Sequence, residues 1–194
     1  MSCRALIEKL PYDAEVEYLE SSGTQYIDTA IKFNGAMNIK CVFQNIDATA
    51  TARDRRFFGG ADGWLGNGVS FAENNFAFFN QRGSLFYYND TYVHTLTLIG
   101  RALKIDNVTK YTFSANSNTA KTSIALFAEH RPTMYLSYLT GRIKSFSIGY
   151  NSDANDVIDL IPVRVGTTGY MYDKVSGKLF GNSGTGNFIL GNDI

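Results

Sequence analysis

Apolar and polar residues alternate along this chain with a period of two, and that alternation limits its fold more than any other feature. Successive side chains of an extended strand point to opposite faces, so a strand between core and solvent reads apolar, polar, apolar. Met37-Asn38-Ile39-Lys40-Cys41-Val42-Phe43-Gln44 is the clearest case: Met37, Ile39, Cys41 and Phe43 share one face, Asn38, Lys40 and Gln44 the other. Leu96 and Leu98 alternate with Thr95 and Thr97, Leu103 and Ile105 with Lys104 and Asp106, Tyr111 and Phe113 with Thr112 and Ser114. Further strands are expected over 16–19, 25–31, 69–72, 76–79, 85–88, 123–127, 134–139, 143–148 and 157–163. Nowhere does an i, i+3, i+4, i+7 apolar pattern persist for the roughly 10–12 residues that mark a helix.

Turn chemistry punctuates these runs. Asn34-Gly35, Asp62-Gly63 and Asn67-Gly68 are dipeptides that tolerate positive φ, and Asp106-Asn107 reads as another hairpin tip. Many short strands with regular turns and no helix predict an all-β, antiparallel sandwich or barrel. No linker divides the chain and no repeat is evident, so one domain is expected over 12–194, preceded by a short arm over 1–11.

Composition narrows the function classes. The 194 residues hold 18 Lys plus Arg against 18 Asp plus Glu, which leaves no long-range field to gather nucleic acid or an anionic membrane. Hydrophobic residues at 44% exclude the polar make-up of a disordered chain. Two cysteines cannot build a disulfide framework or a four-thiolate zinc site, and Cys3 and Cys41 are read as free thiols. The start, Met1-Ser2-Cys3-Arg4-Ala5-Leu6-Ile7-Glu8-Lys9, lacks the apolar core of a secretory signal, and no apolar run is long enough to span a bilayer. Synthesis in a cytoplasm is expected, and the sequons at Asn89 and Asn107 carry no meaning without secretion.

Two segments carry a resemblance. One is Leu10-Pro11-Tyr12-Asp13-Ala14-Glu15-Val16-Glu17-Tyr18-Leu19-Glu20-Ser21-Ser22-Gly23-Thr24-Gln25-Tyr26-Ile27-Asp28-Thr29. The other is Asp159-Leu160-Ile161-Pro162-Val163-Arg164, followed by Gly169-Tyr170-Met171-Tyr172-Asp173-Lys174-Val175-Ser176-Gly177-Lys178-Leu179-Phe180 and Asn182-Ser183-Gly184-Thr185-Gly186. Together they resemble the opening and closing signatures of phage and prophage structural proteins that carry a concanavalin A-like, laminin-G-like jelly-roll domain. Gly141-Arg142-Ile143-Lys144-Ser145-Phe146 and the pair His94–Leu98 and Leu103–Asp106 resemble internal strands of that domain. The resemblance covers nearly the whole chain. It implies a jelly-roll sandwich in a virion part, made in the bacterial host cytoplasm and grafted onto many structural roles.

Glu15-Val16-Glu17-Tyr18-Leu19-Glu20 has the spacing of a glycosidase carboxylate strand, but with Glu where that motif has Asp and with no Trp-rich cleft around it; a solvated strand face is expected. His94 and His130 are read as structural, since no nucleophile elbow accompanies them. Asn151-Ser152-Asp153-Ala154-Asn155-Asp156 begins like a calcium loop but has Asp156 and Pro162 where Gly and Glu are needed, so no metal is assigned. Gly181–Gly186 is a turn, with no Lys-Ser or Lys-Thr pair to hold phosphate. Arg53, Arg55 and Arg56 form a basic patch opposed by Asp54, read as a solvated loop or a set of paired side chains. A glycan site is expected, if anywhere, at Asp62 and Trp64 in a glycine-rich loop with Tyr87 and Tyr88 nearby, because an aromatic face stacks on sugar C–H groups.

The expectation is therefore a non-enzymatic virion structural protein: an auxiliary or decoration capsid protein, or a fibre-like exterior module. Its partners would be other capsid, tail or fibre proteins and further copies of itself, with no cofactor, nucleic acid or membrane. The alternative is a carbohydrate-binding adhesin recognising host-surface glycan; a glycoside hydrolase stands third.

Overall fold

The alternating runs at 37–44, 95–98 and 103–105 form strands, because each can then turn its apolar face inward and its polar face to water, whereas Tyr111, expected to share a face with Phe113, is exposed. The computed structural model describes residues 10–46, 55–62, 68–72, 75–84, 90–116, 118–150 and 156–194. In chain order these carry β1 (Ala14–Glu15), β2 (Leu19–Ser22), β3 (Ile27–Asn34), β4 (Met37–Asn45), β5 (Arg56–Ala61) and β6 (Gly68–Ala72). Then come β7 (Asn75–Phe78), β8 (Gln81–Ser84), β9 (Val93–Ile99), β10 (Ala102–Ile105), β11 (Val108–Thr112), β12 (Thr119–Leu126) and β13 (Glu129–Arg131). The last six are β14 (Met134–Leu136), β15 (Thr140–Tyr150), β16 (Asp156–Val165), β17 (Thr168–Asp173), β18 (Leu179–Phe180) and β19 (Ile189–Leu190). No helix occurs among the described residues.

The strands make two sheets packed face to face, an antiparallel β-sandwich as expected. The larger runs β11-β10-β9-β4-β15-β16-β17-β18, with β1, β2 and β19 joined to it; the smaller runs β14-β13-β5-β6-β7-β8, with β12 and β3. A single His130–Gly60 bridge between β13 and β5 is parallel, and the other strand pairings are antiparallel.

The core between the sheets is aromatic. Phe43 of β4 meets Phe57 and Phe71 across the gap at 4.3 and 5.2 Å, Phe146 of β15 meets Phe58 at 5.3 Å, and Phe113 meets Phe78 at 4.7 Å. Each fully buried Phe contributes about 1.5–3 kcal/mol by leaving water. Met37, Ile39, Cys41 and Phe43 are all buried, as their alternation predicts. Cys41 is a free thiol, and burial pushes its pKa up, which keeps it protonated and inert.

β15 organises the larger sheet. One flank pairs with β4. The other flank is shared: Thr140–Ile143 pair with β2, and Phe146–Gly149 with β16. Beyond that point β15 and β16 diverge, and the opening of the chain fills the fork, β1 on β16 and β2 on β15. This breaks the strand expected over 16–19. Val16 keeps one bridge, to Asp193, while Glu17 and Tyr18 cross from one side of the fork to the other. β5, β8, β13, β17 and β18 lie outside the expected runs: Gln81-Arg82-Gly83-Ser84 and Glu129-His130-Arg131 lack an apolar alternation, and β5 is buried along its whole length. The strand expected over 85–88 lies outside the described residues, as does the 1–11 arm except for Leu10 and Pro11.

Candidate functional site

The two segments that carry the resemblance meet in space and bond to one another. Asp13 N–H donates to the Arg164 carbonyl at 2.8 Å and Val16 N–H to the Pro162 carbonyl at 3.0 Å. Ser183 N–H donates to the Tyr26 carbonyl at 2.8 Å, and Tyr26 N–H to Asn182 Oδ1 at 3.2 Å. The buried Gln25 amide accepts from Ser22 N–H and Ser21 Oγ and donates to the Asn187 carbonyl at 3.0 Å, so one side chain shapes the first signature and ties it to the second. Tyr12 packs edge-on against Tyr172, and Arg164 forks onto Asp193 at 2.7 and 2.6 Å. Gly169 lies under this clasp: a Cβ there would sit 2.6 Å from a Leu190 methyl and 2.7 Å from a Leu19 methyl. The signature residues hold the fold closed.

Glu15, Glu17 and Glu20 belong to the same clasp. Glu15 accepts from the Tyr12 hydroxyl at 3.0 Å, Glu17 from both nitrogens of Asn192, and Glu20 pairs with Arg142 at 2.6 Å. Residues i and i+2 share a face only within one strand, and Glu17 lies outside both β1 and β2. Arg142 also covers the Tyr18 ring at 4.1 Å, a cation–π contact.

A second cluster is built by a bulge. Between Asp28 and Lys32, β3 advances four residues while its partner β12 advances only from Ala125 to Ser123, and Ala30 takes φ 59°. Bulges re-aim side chains. Here Asp28 caps Ala30 N–H at 2.8 Å and accepts the Tyr135 hydroxyl at 2.7 Å. Burial works against the Asp28 carboxylate, but hydrogen bonds from Ser123, Tyr135 and Ala30 outweigh it and hold the pKa below the ordinary value. Ser123 Oγ also lies 2.9 Å from His130 Nδ1, and Tyr135 stacks between His130 and Tyr26, 4.2 Å from each. Serine, histidine and aspartate thus converge, a grouping invisible in the sequence because β3, β12 and β13 supply them separately. It is no nucleophile relay. A triad needs the carboxylate on the ring nitrogen opposite the serine. In this cluster Asp28 lies 4.0 Å from the same Nδ1 that faces Ser123, so the ring does not relay between them.

His94 is held at both ring nitrogens, Nδ1 by Asp106 at 2.6 Å and Nε2 by Asp90 at 2.8 Å. Asp106 also accepts Thr95 N–H at 2.9 Å, which fastens the β10–β11 hairpin tip to β9. Burial favours the neutral ring, yet the bonds to Asp106 and Asp90 dominate and raise the His94 pKa. Of the two readings of the basic patch, Arg56 takes the paired one: it lies on β5 rather than in a loop, is buried and pairs with Glu129 at 2.9 Å; Glu129 also takes Arg131 at 2.7 Å. Arg53 and Asp54 lie outside the described residues.

A cleft of about 290 Å³ lies on the outer face of the larger sheet, lined by Lys40 of β4, Ser145 and Ser147 of β15, Asp156, Asp159 and Ile161 of β16, and Lys174. Lys174 Nζ pairs with Asp159 at 2.6 Å. Burial and the neighbouring Asp159 raise the Asp156 pKa.

Of the residues expected to hold a glycan, Asp62 follows β5 and its carboxylate pairs with Lys121 Nζ at 3.0 Å. Trp64, Tyr87 and Tyr88 lie outside the described residues, as do positions 151–155 of the acidic run. No group of three or more His, Cys, Asp and Glu side chains among the described residues is placed to hold a metal ion. No protein-family model matches the chain, and a search of curated proteins finds no match.

Proposed function

We propose that the chain is a non-enzymatic structural protein of a phage particle, an auxiliary or decoration protein of the capsid or a fibre-like exterior module, with a concanavalin A-like jelly-roll topology. One observation carries the reading: the two segments that resemble phage structural proteins are the two halves of a single clasp. Such a pair of segments works as a unit, so its joint presence is a stronger fold marker than either half. The three polar clusters inside the sandwich and at its rim are tied up in bonds that hold strands, as befits a part that is built rather than one that turns over substrate. Its partners are other virion proteins and further copies of itself, and its place is the particle. Mass spectrometry of purified particles is the test: the chain is expected at a fixed stoichiometry, and its complete absence overturns the assignment.

A second reading, a module that binds host-surface glycan, is favoured by the outer-face cleft, which gathers donors and acceptors in one concavity. An exterior virion part can do both. Binding of multivalent protein to a panel of neutral and anionic oligosaccharides tests it, and silence across the panel removes it.

A further inference from the structure

We propose that the cleft over β4, β15 and β16 is a saccharide site that takes a neutral sugar by its hydroxyl edges, against Lys40, Ser147 and Asp159, rather than by stacking on an aromatic ring. It rests on the second reading above and names the site and ligand class for it.

The register builds the site. Ser147 pairs with Lys40 on one side and Asp159 on the other, so an ammonium, a hydroxyl and a carboxylate stand in one row on three adjacent strands. Neighbouring strands are about 4.8 Å apart, so the row spans roughly 10 Å, about the reach of one or two sugar rings. The volume of about 290 Å³ lies at the lower end of small-molecule sites. The acceptor end of the row is fixed from both sides: Lys174 holds the Asp159 carboxylate at 2.6 Å while its own backbone N–H donates to the Asp159 carbonyl at 2.9 Å.

The ligand class follows from the charge pattern. Lys40 and Lys174 balance Asp156 and Asp159. An anionic ligand would face the carboxylates of Asp156 and Asp159, and a cationic one the ammonium groups of Lys40 and Lys174. Two ammonium groups beside the carboxylates disfavour a divalent cation in the same way. A sugar hydroxyl donates and accepts at once, so it can slip between ammonium and carboxylate with neither left bare. Ile161 offers an apolar wall for the C–H face of a ring, and Ser145 a further hydroxyl. Asp156, its pKa raised by burial and by Asp159, adds a carboxyl that is less reluctant than a free one to act as a donor in mild acid.

The experiment uses the full chain, displayed multivalently on a panel of neutral and anionic oligosaccharides, as wild type and as Asp159→Asn, Ser147→Trp and Trp64→Ala. Asp159→Asn keeps the shape and removes the charge; Ser147→Trp fills the cleft. Thermal melts of each variant confirm that it folds, and Asp159→Asn stands alone as the test if the Trp variant does not. The expected result is a neutral-glycan signal that falls at least tenfold in Asp159→Asn and Ser147→Trp and survives Trp64→Ala. A signal lost with Trp64→Ala but kept in Asp159→Asn and Ser147→Trp overturns the cleft while the glycan reading stands. A signal confined to anionic glycans overturns the ligand class. No signal from wild type overturns both.

Discussion

His94 illustrates how a single side chain acquires its role from contacts the alternation does not encode. Its place in an alternating strand was legible, but Asp90 and Asp106, which grip the ring from either side, come from the segment before β9 and from a hairpin tip. Because the bonds to Asp106 and Asp90 overcome the effect of burial and raise its pKa, His94 stabilises the fold fully below the unfolded value of about 6.5. That contribution is lost as pH climbs through the raised folded value. Asp106 behaves oppositely. Against its own burial, the Thr95 and His94 bonds lower its pKa, so its contribution is present above about 3.9 and fades as pH falls through the folded value. The clamp is therefore strongest between about pH 4 and 6.5. Thermal melts from pH 5 to 9 should show the advantage of wild type over His94→Gln shrinking with pH, by about 2–4 °C for each 1 kcal/mol lost in a chain of this size. A pH-independent gap would mean that the ring is held neutral.

At the scale of elements, the turns at Asn34-Gly35 and Asp106-Asn107 and most strand positions could be read directly, whereas the breaks could not; Gly63 and Asn67, of the other two turn dipeptides, lie outside the described residues. The 16–19 strand splits because β15 and β16 diverge, and the β3 bulge arises where Ala30 takes a left-handed φ that its side chain does not advertise. That bulge is what swings Asp28 out to Tyr135 and Ser123. The closing turn is similarly specific. A Cβ on Gly184 would overlap the Thr24 carbonyl oxygen and approach the Tyr26 ring to 3.1 Å, so the turn can dock against the opening signature only with a glycine there. Gly184→Ala should cost about 1–3 kcal/mol as overpacking. Gly100→Ala, which meets nothing within 4 Å but has φ 52°, should cost only the left-handed penalty of about 1–2 kcal/mol. Urea denaturation of both checks this. The sharper sign is in hydrogen exchange, where Gly184→Ala should loosen β2 and β3 and Gly100→Ala should leave them unchanged.

Over the whole molecule, the clasp couples residues near the two ends of the described chain. Phe188 is buried and packs on Phe127 at 5.0 Å, β19 pairs with β2, and Asp193 takes Arg164. Phe188→Ala should cost about 3–5 kcal/mol, the usual price of emptying a buried Phe site. Removing residues 187–194 should lower the melting temperature further and strip amide protection from β1, β2 and β17 together. Protection lost from β2 alone would show that the clasp is only a local latch. The sequence by itself determined the all-β class, the turns at Asn34-Gly35 and Asp106-Asn107 and the inward faces of β4, β9 and β10, because strand periodicity is a property of neighbouring residues. Which strand lies beside which, the bond from Gln25 to Asn187 and the row of Lys40, Ser147 and Asp159 were decided only by the tertiary structure. Each depends on residues far apart in the chain, and a hydrogen-bonding group carries no mark of its partner until folding brings the two within about 3 Å.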